Sequence, residues 1–164
     1  MRMLRLRSRQ DFDYSQIINK KEEVKMVELL IGKKGTGKTK TLIEHVNNAA
    51  AVAKGNVVFI SKDSSRSMYD IKSKVRMVET KEFSIDSYNE FLGFICGIIS
   101  RDFDITNIFI DGIFKIVGTD SLDGFETFLE KLEELSQKLN ISFNISVSID
   151  AETAPDYIKK ISIK

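Results

Sequence analysis

The sequence has 164 residues, enough for one domain built round one core. Apolar residues make up 42%, charged residues 30%, and there is a single proline, which excludes a largely disordered chain. A formal net charge of +1 excludes a strong uniform field for nucleic acid or a membrane surface. Cys96 is the one cysteine, so no internal disulfide can form, which fits a reducing, cytoplasmic setting.

Residues 1–25 stand apart. They carry seven basic and four acidic groups and show no clean hydrophobic period. They read as a flexible arm or as a non-native extension, with Met26 as the true start. Met26 opens directly into a strand-like run, and Glu22-Glu23-Val24 can be encoded by a purine-rich stretch resembling a ribosome-binding sequence. The opening has the charge of a signal peptide but no apolar segment follows it. No run approaches the roughly 20 apolar residues of a membrane span.

From Met26 onward strands and helices alternate. Residues 27–31 form a short apolar run ended by Gly32. Residues 38–54 have helical composition, with Leu42, Val46, Ala49, Ala50 and Ala53 on one stripe and Gly55 as the closing residue. Residues 56–61 (NVVFIS) are a second strand, 64–74 a short helix and 75–79 an extra strand. A helix over 85–100 starts with Ser87 and Glu90 at capping-box spacing. It is apolar nearly all round, which predicts burial, with Cys96 a small core residue and Gly93 and Gly97 allowing close packing on a sheet. Residues 107–111 (NIFID) are a strand ending in an acid. Residues 122–139 form an amphipathic helix, 141–149 a strand and 158–163 a short last strand. This order implies an α/β domain over 26–164, with a mostly parallel five-stranded sheet and helices on both faces.

Residues 32–39 read Gly-Lys-Lys-Gly-Thr-Gly-Lys-Thr and fit G-x-x-x-x-G-K-[ST] in full. With glycine at about 7% of residues, a chance match in a chain this long is roughly a one-in-two-hundred event. The match also follows a strand and opens a helix, the setting the motif requires. A loop that wraps a phosphate must turn backbone N–H groups inward, and Gly32, Gly35 and Gly37 permit that close approach. The following helix aims its N-terminus at the same anion. Lys38 would bridge the outer phosphates, and the Thr39 hydroxyl would hold Mg²⁺. Lys33, Lys34, Thr36 and Lys40 complete the expected nucleotide-binding set. A Mg-triphosphate site also needs a carboxylate at the end of a neighbouring strand, and Asp111 supplies it. Lys38 and Asp111 are therefore the candidate catalytic residues, Thr39 and Asp111 the candidate metal ligands.

On these two motifs, residues 26–150 resemble P-loop NTPases, with a layout similar to the RecA-like branch. Gly32–Thr39 stands as the Walker A motif and residues 108–111 as Walker B. The chain also resembles short ATP-binding proteins of Gram-positive bacteria, without the length of a motor subunit. The resemblance implies a three-layer fold that binds ATP and Mg²⁺ at the carboxyl ends of parallel strands. One departure stands out. Many RecA-like ATPases place Glu directly after the Walker B Asp to activate water, and here that place is Gly112. Asp63 and Glu126 are the acids that could substitute. No N-K-x-D motif for reading guanine occurs; Ser61-Lys62-Asp63 is only a fragment of one.

Three functions remain open: an ATP-binding protein with slow or partner-stimulated hydrolysis, a small-molecule kinase such as a nucleoside kinase, and a non-catalytic ATP-dependent switch. Partners would be a nucleoside triphosphate and a second protein or a second copy of the chain. Loops 61–67 and 118–124 are the candidate switch segments. Residues 141–149 alternate polar and apolar, although this strand should be central. That implies either a thinly covered sheet face or a polar sensor, Ser148 or Asp150, near the terminal phosphate. Arg66 is the candidate contact for a second substrate. His45 is expected at the surface with no role.

Overall fold

The computed structural model describes residues 26–163. The basic segment 1–25 lies outside the described residues, and so does the expectation that Met26 is the start. The elements run β1 (Val27–Gly32), α1 (Lys38–Val52), β2 (Asn56–Ser61), β3 (Val75–Glu79), α2 (Tyr88–Arg101), β4 (Ile105–Asp111), α3 (Ile113–Val117), α4 (Phe125–Leu139), β5 (Ser142–Ser148), α5 (Asp156–Ile161) and β6 (Ser162–Ile163). No helix among them is long and apolar enough to cross a membrane.

The six strands form one sheet in the order β3-β2-β4-β5-β1-β6, and every pairing is parallel. The expected five strands are thus joined by a two-residue sixth at the edge beside β1. The stretch expected as a last strand is mostly α5. Pro155 opens it, and Ile158 at helical spacing buries itself in the core.

Side chains alternate across the sheet with period two. Leu29, Val58, Ile60, Ile108, Ile110, Phe143 and Ile145 face α2 and α4 and build the larger core. Leu30, Val57, Phe59 and Phe109 face the other way, against Leu42, Ile43, Val46 and Ala50 of α1. In β5, Ser146 is level with Leu30 and Asn144 with Phe109, so the polar residues of β5 lie on the α1 side. This is the thinly covered face that the alternation implied, since the smaller core draws its helical residues from α1. Asn107 donates to Ser142 Oγ across this face at 2.6 Å, so the polar groups satisfy each other.

Two expectations over residues 64–100 are corrected. Residues 64–74 form successive turns, not a helix. Their short polar side chains and their neighbours take the backbone groups a helix would use. Asp63 accepts from Ser65 N–H at 2.8 Å, and the Glu79 carboxylate of β3 accepts from both the N–H and the hydroxyl of Ser64. The second correction concerns α2. It buries Phe91 and Ile95 completely, but Cys96, Gly93 and Gly97 are exposed, and nothing lies within 4 Å of a Cβ built on either glycine. The helix is an outer layer packed on one side, so its small residues face away from the sheet.

Two local features carry tests of the packing. Gly55 does not close α1, which ends at Val52 with Ala53 as its cap. It is needed instead because a Cβ there would lie 2.1 Å from the carbonyl oxygen of Asp104. Gly55→Ala must shift backbone rather than a flexible side chain, so it should destabilise the fold by about 1–3 kcal/mol, read from a lower urea midpoint.

Tyr88 packs its ring 5.3 Å from Phe125 and 5.6 Å from Phe128, and its hydroxyl donates to Ser121 O at 2.7 Å. Burial pushes its phenol from 10.0 up to about 12. Folding thus favours the protonated phenol. Its contribution is complete below pH 10 and is lost as pH rises through about 12. Unfolding curves of Tyr88→Phe should fall less steeply than wild type across that window.

Candidate functional site

The strand-to-helix turn after β1 has the backbone its glycines predict. Gly35 and Gly37 take φ of 79° and 86°, the left-handed region that favours glycine. Gly32 is needed for space, because a Cβ there would lie 2.7 Å from Thr36 Oγ1. Thr36 in turn donates to Lys33 O at 2.7 Å and braces the loop. Helix α1 begins at Lys38 with Gly37 as its N-cap, no side-chain cap and no acid in its first turn. Its leading N–H groups are left to an anion or to water.

Lys38 folds back across this loop. Its ammonium donates to the carbonyls of Gly32 at 2.8 Å and Lys33 at 2.7 Å. Burial lowers its pKa below the ordinary lysine value; the Asp111 carboxylate opposes that shift and the charge of Lys115 adds to it. Lys33 points elsewhere, 3.0 Å from Asp150. Lys34 lines a cavity of about 300 Å³ with Gly112, Phe114, Lys115, Thr119, Asp120 and Ser148. Lys40 and Thr39 border a second cavity of about 530 Å³, which also holds Arg66, Asn47 and Asp70.

The two sequence motifs meet through side chains. Thr39 Oγ1 donates to Asp111, 3.1 Å from each carboxylate oxygen, although the residues are 72 apart in sequence. Neither β1 nor β4 is the other's neighbour; β5 lies between them. On that strand Ser146 is 1% exposed and joins the pair from beneath. It donates to Asp111 Oδ1 at 2.8 Å and accepts from the Gly112 N–H at 2.7 Å. Ser146 was not singled out from the sequence. The signal lay in its parity, which puts it on the same face as Asp111 one strand away.

The other expected residues divide. Ser148 does line the cavity beside Gly112. Asp150 does not: it accepts from Glu152 N–H and pairs with Lys33, and both hold its carboxyl below the usual range. Asp63 lies just beyond Ser61, which is level with Asp111, but its carboxylate is engaged by Ser65 N–H and Lys81. Glu126 lies in the groove between α4 and α5 with Tyr157, not in the cavity beside Gly112. His45 is half-buried on α1 rather than exposed.

Gly112 has φ of +70° and serves as N-cap to α3. A glutamate would pay about 1–2 kcal/mol in that left-handed backbone. The missing carboxylate is thus matched by the local chain path. Together the loop, the uncapped helix and the Thr39–Asp111 pair bring unpaired N–H groups beside hard oxygen donors, the groups that could hold an anion and Mg²⁺.

No protein-family model and no curated protein sequence matches this chain. Among solved structures, it is similar to the KaiC-like protein PH0186 from the hyperthermophilic archaeon Pyrococcus horikoshii OT3. The match covers 83% of this chain and 68% of that one, with a TM-score of 0.57 and 16% identity. Likeness at that identity is likeness of fold. The described domain therefore has the three-layer, RecA-like P-loop NTPase fold, with its parallel sheet between helices.

The hydrogen bonds of Ser146 make it a test of this geometry. Ser146→Ala leaves the half-buried Gly112 N–H without its acceptor and removes one of the two hydroxyl donors to Asp111. It should lower stability by about 1–3 kcal/mol. An unchanged urea midpoint would show that the hydroxyl holds nothing in place.

Proposed function

We propose that this protein binds ATP with Mg²⁺ and hydrolyses it slowly, or faster when a partner completes the site. The observation that carries the reading is the contact of Thr39 with both carboxylate oxygens of Asp111 at 3.1 Å. It joins the phosphate loop to the acid that a Mg-triphosphate site requires. Thr39 and Asp111 would hold the ion, directly or through its waters, and the ion would neutralise charge on the outer phosphates.

The chain's own groups supply the rest. Gly32, Gly35 and Gly37 let the loop backbone approach the phosphates, with Lys33, Lys34, Thr36 and Lys40 around it. The Lys38 ammonium, now on the carbonyls of Gly32 and Lys33, would exchange those acceptors for phosphate oxygens. Ser146 keeps Asp111 oriented. No carboxylate follows Asp111, so water is left without the usual base, and turnover would be slow in isolation. A switch that responds to bound nucleotide through loops 61–67 and 118–124 fits that chemistry. The setting would be the cytoplasm, where Mg-ATP is abundant and the lone thiol stays reduced.

One observation favours phosphate transfer to a small acceptor as a second reading: the cavity beside Thr39 that contains Arg66 and Lys40. Phosphate release separates the two. The full-length chain with Mg-ATP should release phosphate without any acceptor, and Lys38→Ala should bind ATP roughly 10- to 100-fold more weakly, as expected for losing a charge-assisted hydrogen bond. Release only as a phosphorylated nucleoside would favour the kinase. Wild-type protein that binds no ATP at millimolar concentration would sink the proposal.

A further inference from the structure

We infer that Lys115 is a second phosphate-binding lysine, one that recognises the terminal phosphate and so makes the site prefer a nucleoside triphosphate to a diphosphate. The inference rests on the reading of the site as a nucleotide site. It deepens that reading by assigning a residue outside both sequence motifs.

Three observations place Lys115 there. The first is its stem. Its Cδ and Cγ lie 3.4 and 3.8 Å from the position a Cβ on Gly112 would take. The chain of Lys115 thus covers the backbone of Gly112, directly after Asp111. The space that a side chain at 112 would enter holds the stem of a cation.

The second is its head. Lys115 is exposed on α3 and lines the cavity beside Gly112. Among the described residues no side chain or carbonyl makes a hydrogen bond or ion pair with the Lys115 ammonium. A position at the end of α3 could be explained by the helix dipole, but α3 has only five residues and its dipole is correspondingly weak. A phosphate in that cavity would supply the partner the ammonium lacks.

The third is the cavity. Lys115 and Lys34 line the same space of about 300 Å³, with the hydroxyl residues Thr119 and Ser148 and the ring of Phe114. Asp120 is the one acid on its wall. With Gly118 and Thr119 it borders the cavity from loop 118–124. The cavity is lined by Lys34 of the glycine-rich loop and by Gly112, directly after Asp111. Lys38 reaches the phosphates from the loop side and Lys115 from the β4 side. Only the outermost phosphate of a triphosphate would lie between them.

The test is calorimetric binding of Mg-ATP and Mg-ADP to the full-length chain, for wild type, Lys115→Gln and Lys115→Arg. Lys115→Gln should weaken Mg-ATP about tenfold and leave Mg-ADP within about twofold, the loss expected for one charge-assisted contact. Lys115→Arg should restore most of the preference. Thermal unfolding of each variant without nucleotide should match wild type, since the side chain is exposed. Equal weakening of both nucleotides would overturn the inference and mark Lys115 as structural, and so would unchanged binding of both. Wild-type protein that binds neither nucleotide would instead overturn the reading beneath it. Wild type that binds both, with a Lys115→Gln variant that still discriminates, would overturn this inference alone.

Discussion

The contact on which the site depends is the bond between the Thr39 hydroxyl and the Asp111 carboxylate. Thr39 stands at the start of α1, above the sheet, and Asp111 at the carboxyl end of β4. A whole strand lies between β1 and β4, so the two are separated by about 9–10 Å of sheet. The gap is closed because α1 crosses the face of β5 and because β5 offers only a small polar group there. A large apolar residue at 146 would intrude beneath the pair and leave the Gly112 N–H unsatisfied. Ser146 instead accepts from that N–H and donates to the carboxylate. The polar alternation of a central strand thus follows from what must meet above it.

The same constraint shapes both cores. The face toward α2 and α4 has nothing to accommodate, so its strands carry Val, Ile and Phe continuously. The α1 face must hold a polar site at one end, so its apolar packing contracts to a cluster around Leu42, Val46, Phe59 and Phe109. Thinner packing lowers the local stability of whatever borders it. The loop after β2 is one such border; it is built of turns braced by Glu79 and Asp63, with Ile71 its one apolar residue in the smaller core.

Glycine backbone at Gly112 completes the logic. Its φ of +70° turns the chain directly from β4 into α3. That turn brings Phe114 and Lys115 back over the end of β4, where Phe114 packs edge-on to Phe125 at 5.9 Å. One residue therefore removes a carboxylate from the site and sets a lysine stem across the vacated space. A chain with glutamate at that position would need a different path into the next helix, because L-residues avoid this region of φ and ψ.

The glycine-rich turn after β1, the acid at the end of β4 and the alternation of strands and helices were legible in the sequence. Each is a local property: glycines at fixed spacing, a strand ending in Asp, and hydrophobic period switching between two and 3.6. The thinly covered face was legible too, from the serines and asparagines of β5. Reading failed where partners distant in sequence decide the outcome. Residues 64–74 read as a short helix, yet Glu79 of β3 captures the Ser64 N–H and hydroxyl. Cys96 lies in an apolar run, yet α2 is an outer layer and turns it to solvent. Gly55 closes no helix but gives way to the Asp104 carbonyl. Ser146 and Lys115 could not be named, because their positions relative to Asp111 depend on strand order and on the turn at Gly112. The sequence by itself determined which groups could bind a phosphate and a metal. The tertiary structure decided which of them meet, because side chains 72 or 35 residues apart come within hydrogen-bond reach only once the sheet has set their order.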